Sequence, residues 1–161
     1  SICNFVLTTG VGIDAPAVYN FRKPSVYVNY CPAGLLHTYN NNILLLTKHH
    51  FLKRENREAT LAEIFSSNVG FTLDSKQYTD NNIVLIENTP EEICDVTFEM
   101  VERLEDCWIS TSEDEYLQAK FWEIFPVNSK SIDNGMPLHG EIRARYGSAF
   151  LRNNPKWIDE K

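Results

Sequence analysis

The residues best suited to chemistry lie in one short stretch, Thr8-Thr9-Gly10-Val11-Gly12-Ile13-Asp14-Ala15-Pro16. Glycines let the backbone turn sharply and let a phosphate or ribose approach without meeting a Cβ. The chemistry such a turn supports is the holding of a nucleoside diphosphate over Thr9, Gly10, Val11 and Gly12. Asp14 has two readings: an N-cap for the orphan amides of the helix that follows, or an acceptor for ribose hydroxyls. Its two oxygens let the roles overlap in part. Three further side chains join the candidate donor-binding set. Asn29 stands near the end of the next apolar run, where the dinucleotide fingerprint G-x-G-x-x-G/A needs an acidic residue. His37 and Lys48 follow the carboxyl ends of predicted strands, where open sheets place ligands.

Little else in the chain suggests a reaction centre. His49 and His50 cannot both face one metal from a strand, because successive side chains point to opposite faces. No His-x-x-x-His or His-x-x-Glu-His spacing supports zinc, so no metal is expected. No Ser-His-Asp order or nucleophile elbow occurs, and no catalytic residue is assigned.

The elements that must position the turn follow from periodicity and caps. An apolar run over Ile2 to Leu7 enters the turn, a short helix over Ala15 to Phe21 leaves it, and a second apolar run, Ser25 to Asn29, follows Pro24. Strand, glycine turn, helix, strand is the unit that open α/β sheets use to hold a nucleotide. Ile43 to Leu46 and Ile83 to Ile86 read as further buried strands. Thr47 to Ala59 reads as a polar segment, and 30–42 and 127–137 as loops. Capping boxes at Thr60-Leu61-Ala62-Glu63 and Thr89-Pro90-Glu91-Glu92 start two helices, the second with Ile93, Val96, Thr97, Met100, Val101 and Leu104 on its packing face. Another helix opens at Ser112 and stops at Pro126, and Gly140 to Arg152 reads as a last helix. The alternation predicts an α/β fold, a Rossmann-like, mainly parallel sheet of about four or five strands flanked by helices. The predicted division is a donor-binding region over 1–107 and a helical C-terminal extension over 108–161.

Bulk properties narrow the class. A length of 161 residues suits one domain that buries roughly 70% of its extended surface, and 43% apolar residues with 12% aromatics argue against disorder. A net charge of −7 argues against a nucleic-acid surface, which needs a dense basic footprint. Basic residues gather at Lys48, Lys53, Arg54 and Arg57 and again at Arg143, Arg145 and Arg152; these read as solvated faces, with contact to a phosphate or to an anionic membrane as the alternative. The four cysteines form no CxxC pair, which points to a reducing cytoplasm, and Cys3 and Cys94 are expected to act as small buried hydrophobes. No apolar run approaches the ~18–20 residues of a membrane span. The chain starts without Met, almost directly in a core-type strand, and is read as a piece of a longer polypeptide.

Leu7 to Pro16, followed by Arg22-Lys23-Pro24-Ser25-Val26-Tyr27-Val28-Asn29, resembles the nucleotide-sugar half of GT-B glycosyltransferases, where a glycine turn and helix precede a Lys-Pro strand. Val84-Leu85-Ile86-Glu87-Asn88-Thr89-Pro90-Glu91-Glu92-Ile93 is similar to the late strand and helix of that domain. The runs Asp114 to Trp122 and His139 to Leu151 look like the tail of a bacterial family of glycosyltransferases of surface-carbohydrate biosynthesis. The resemblance implies a donor-binding portion whose substrate is a nucleotide sugar, with no cofactor, and with the acceptor site on an N-terminal domain of the same polypeptide. It implies that the isolated chain is inactive and that the helices after Asn88 bear surface meant for that domain, so that self-association is expected. Non-hydrolysing UDP-N-acetylglucosamine epimerases share the acidic-Ala-Pro step, but with adjacent acidic residues where this chain has only Asp14. A third reading is a non-catalytic nucleotide-binding or interaction domain that uses Trp108, Trp122 and Trp157.

Overall fold

The apolar runs become strands β1 (Val6–Thr8), β2 (Ser25–Tyr30) and β3 (Ile43–Thr47) in a computed structural model that describes residues 3–10, 12–35, 42–126, 132–133, 136–137 and 144–159. Next come β4 (His49–Leu52), β5 (Arg57–Glu58), α1 (Leu61–Ser66), α2 (Ser75–Asp80), β6 (Ile83–Ile86), α3 (Pro90–Leu104) and α4 (Ser112–Ile124). The hairpin β7 (Ile132–Asp133) and β8 (Met136–Pro137), then β9 (Arg145–Tyr146) and α5 (Ser148–Asn153), complete the order. β1, β2, β3 and β9 form a four-stranded sheet in that order, each pair parallel. β3 is buried at every residue, as an inner parallel strand must be. α3 packs on β2 and β3 through Val96 and Met100, and α4 and α5 pack on each other beside β9. Each fully buried aliphatic side chain in this core, such as Val26 or Leu46, contributes about 1.5–3 kcal/mol.

Local sequence explains the helix starts. Thr60 and Glu63, Thr89 and Glu92, and Thr111 and Asp114 each make reciprocal capping boxes, the first two at the positions the sequence marks. The far edge of the sheet is closed by a side chain. The Gln118 amide donates to the Tyr146 carbonyl at 2.6 Å and accepts the Tyr146 N–H at 3.3 Å. At the opposite edge, Val6 and Thr8 pair with β2, so the Leu7 N–H and C=O point away from the sheet.

The structure corrects several expectations. The helix expected over 15–21 is a 3-10 turn at Gly12–Asp14 followed by a π-helical turn at Pro16–Asn20, closed by the Phe21 N–H donating to the Pro16 carbonyl. The polar segment after Thr47 holds β4 and β5, which join β6 in a separate antiparallel sheet ordered β5-β4-β6. One residue, Lys48, separates β3 from β4, far short of the dozen or more a parallel crossover needs. β6 therefore forms where expected but belongs to this second sheet. Of the helix expected over 140–152, residues 140–143 lie outside the described residues, 145–146 are the fourth parallel strand, and only 148–153 are helical. Gly147 turns the chain there, with its N–H donating to the Leu45 carbonyl. The segment after Cys107 thus supplies a strand of the main sheet as well as helices. Cys3 and Cys94 are exposed, contrary to their expected burial, and the Cys3 thiol donates to the Phe5 carbonyl. The Arg145 and Arg152 guanidiniums are ion-paired with Glu115 and Asp114.

Candidate functional site

The glycine turn leaves the carboxyl end of β1 and is held by a small polar knot. The Thr8 hydroxyl accepts the Gly10 N–H at 3.0 Å and donates to one oxygen of Asp14. Asp14 therefore does not cap the following helical turn, whose N-cap is Ala15 with no side-chain bond. Its Oδ1 has no partner among the described residues. The two glycines differ. Gly10 adopts φ +81°, and a Cβ on it would sit 2.7 Å from the Tyr30 ring, so the turn itself requires glycine there. A Cβ on Gly12 would meet nothing within 4 Å. Thr9, Gly10 and Gly12 are exposed. Beneath them the Tyr27 and Tyr30 rings meet edge to face with centroids 5.2 Å apart. Burial, then the neighbouring Tyr19 and Asp14, raises both phenols far above their usual range, so they remain hydrogen-bond donors.

Lys48 sits at the carboxyl end of β3, with its N–H on the Tyr30 carbonyl at 3.2 Å and its ammonium 3.4 Å from Glu87. The Thr47 hydroxyl donates to the same Tyr30 carbonyl. Tyr30 thus links the turn to Lys48. Asn29 takes a different part from the one its position suggests. At φ +52° it exchanges two bonds with Asn88, each backbone N–H donating to the other's side-chain oxygen at 2.6 Å, and the Asn88 amide also donates to the Thr47 carbonyl. This pair fastens the end of β2 to the end of β6. Thr9, Gly10, Gly12 and Asp14 lie together in sequence and space, and Val11 and His37 lie outside the described residues.

The sheet topology sets what this site has for walls. The order β1-β2-β3-β9 advances in one direction, so the described strands contain no reversal of the kind that opens a nucleotide crevice. Among the described residues no group of His, Cys, Asp and Glu is placed to hold a metal, and no helix is long and apolar enough to cross a membrane. No family model, curated protein or solved structure matches this chain.

Sequence reasoning misses a second charged constellation. His49 bridges two carboxylates, with Nδ1 3.1 Å from Glu58 and Nε2 2.9 Å from Glu92, and its ring tilts against Phe150 at 5.6 Å. Glu92 also accepts the Thr89 N–H, so one carboxylate serves the capping box and the histidine. The only signal of it in the sequence is the capping box. His50 points the other way along β4 and is buried; its Nδ1–H donates to the Lys48 carbonyl, and burial pushes its pKa down to about 4. Glu58, acting against desolvation and aided by Glu92, raises the His49 pKa to about 9. A pKa raised above the unfolded value near 6.5 contributes stability that is full below that value and is lost as pH rises through 9. His49 also holds the Glu58 carboxyl below its ordinary range, so that share is present above pH 4.5 and lost on acidification. Glu58 is 44% exposed, so screening reduces the clamp to about 2 kcal/mol. Unfolding free energies of wild type and His49→Gln from denaturant titration are expected to differ by that amount at about pH 6 and to converge near pH 10. An equal gap at both values would mean that the clamp carries no net charge-dependent stability.

Proposed function

We propose that this chain is the donor-binding portion of a glycosyltransferase that makes surface polysaccharide or glycoconjugate, with a nucleotide sugar as substrate and no cofactor. The observation that carries the reading is the exposed turn at the carboxyl end of a parallel strand. There Gly12 leaves open space, and one Asp14 oxygen is free of any partner among the described residues. The diphosphate would lie over Thr9 to Gly12 and the ribose hydroxyls would bond to Asp14, with Lys48 nearby as a cation. The resemblance of the Leu7 to Pro16 and Val84 to Ile93 stretches to GT-B enzymes supports the same assignment. In this reading the other wall of the crevice belongs to a second Rossmann-like domain of the same polypeptide, because the described strand order has no reversal of its own. Transfer requires that domain, and the enzyme works in the cytoplasm, where nucleotide sugars and free thiols such as Cys31 and Cys107 are compatible.

Half a crevice binds weakly. Titration of UDP into the isotope-labelled chain is expected to move the amide resonances of Thr9, Gly10, Gly12 and Asp14 with high-micromolar affinity or weaker, roughly −5 kcal/mol. No movement there at millimolar UDP would remove the donor assignment. The second reading, an interaction domain, draws on Ile13, which is 90% exposed, and on exposed Tyr19 and Phe21 in the same β1–β2 connection. Trp157 does not support it, because that ring is buried against Phe121 and Tyr146.

A further inference from the structure

A cavity of about 690 Å³ opens between the β5–α1 connection and the turn after α5, away from the glycine turn in sequence. Two of its four charged lining residues are already committed. The Arg57 guanidinium bonds both oxygens of Glu63 at 2.8 Å, and Asp159 pairs with Lys120 at 3.3 Å. Three polar groups remain. The second oxygen of Glu58, the Lys156 ammonium and the Asn153 amide have no side-chain partner among the described residues. Pro155, Ala59 and Trp157 line its apolar side, with Pro155 exposed and Trp157 presenting only the 5% of its surface that the core leaves uncovered. Glu58 is fixed from behind through its first oxygen by His49, which is itself only 10% exposed and braced by Glu92.

An unspent carboxylate and an unspent ammonium beside an apolar wall complement a ligand that carries both opposite charges on an apolar body. A singly charged ligand would leave one of the two without a partner. We propose that this cavity binds a free amino acid with a large apolar side chain, whose ammonium meets Glu58 and whose carboxylate meets Lys156. Asn153 hydrogen-bonds the same head group, and the side chain lies against Ala59, Pro155 and Trp157. Pre-fixing the carboxylate lowers the ordering cost of binding. The site is independent of the donor reading, since none of its residues belongs to the turn at Thr9 to Asp14.

The test uses the labelled chain and four probes: L-phenylalanine, phenethylamine without the carboxylate, hydrocinnamate without the ammonium, and UDP. L-phenylalanine is expected to shift Ala59, Thr60, Asn153 and the Trp157 indole with a Kd of about 1 mM, and each truncated probe to bind at least about tenfold more weakly. In Lys156→Ala, an exposed position, phenylalanine should fall to the level of phenethylamine; in Glu58→Gln it should fall to that of hydrocinnamate. Absence of shifts with phenylalanine, truncated probes that bind equally well, or an unchanged phenylalanine affinity in Lys156→Ala would each overturn the proposal. UDP reports separately: its shifts, or their absence, at Thr9 to Asp14 bear only on the donor site.

Discussion

Glu99→Ala is expected to lower the unfolding free energy by about 3 kcal/mol. Glu99 lies in α3 and is 2% exposed. One oxygen accepts the Ser148 N–H at 2.7 Å; the other accepts the Ser148 hydroxyl at 3.1 Å and the Arg103 guanidinium at 2.7 Å. Gly147, at the N-cap of α5, has no capping side chain, so Glu99 does that work from another helix. Alanine leaves a buried amide without an acceptor and a cation without its partner. Arg103 is a quarter exposed and can turn to water, which holds the loss near the lower end for broken buried pairs. Glu99→Gln keeps an acceptor and should lose about half as much. Urea denaturation at neutral pH with an unchanged m-value measures both. A loss below about 1 kcal/mol for the alanine variant would show that water replaces the carboxylate without cost.

The two glycines of the turn should differ in what they cost in stability. Gly10→Val combines a left-handed backbone, unfavourable for a β-branched residue, with a Cβ 2.7 Å from a buried tyrosine ring. A stability loss of about 3 kcal/mol is expected, with the UDP-dependent shifts lost as the turn rebuilds. Gly12→Val places its side chain in open space and should change stability by no more than about 0.5 kcal/mol, the ordinary effect of an exposed substitution. Its UDP response should nevertheless vanish, because the branched side chain fills the space assigned to the diphosphate. Thermal unfolding and the UDP titration on both variants separate the cases. If Gly12→Val folds and still binds UDP as wild type does, the diphosphate does not approach over Gly12.

What the sequence makes legible is what is local. Thr60 with Glu63 and Thr89 with Glu92 announce helix starts because both partners of each box lie within four residues. The central strand is equally plain, since Ile43 to Leu46 is apolar at every position and buried on both faces. β9 looks helical in sequence because two residues, Arg145 and Tyr146, become a strand only through pairing with Leu44 and Leu45, far earlier in the chain. β4 is hidden because His49 and His50 look polar, while one is neutralised by Glu58 and Glu92 and the other is buried neutral. Within the candidate site, the Thr8 to Asp14 spacing leaves the aspartate's partner open, and in the fold a hydroxyl takes it in place of any helix amide. Asn29 cannot be separated from a ligand residue by sequence because its partner, Asn88, is 59 residues away.

The Gln118 amide occupies the hydrogen-bonding groups of Tyr146 on one flank of the sheet, whereas on the other flank Leu7 is 47% exposed and its outward peptide groups have no strand beside them among the described residues. Extension of this sheet is therefore one-ended. Among the described residues an incoming strand has a template in this sheet only alongside β1, and Phe5 to Thr8 carries neither the charge nor the proline that commonly discourages such pairing. Assembly, productive or aberrant, has a built-in direction, from the glycine-turn flank outward, because a glutamine on a distant helix has already sealed the opposite side.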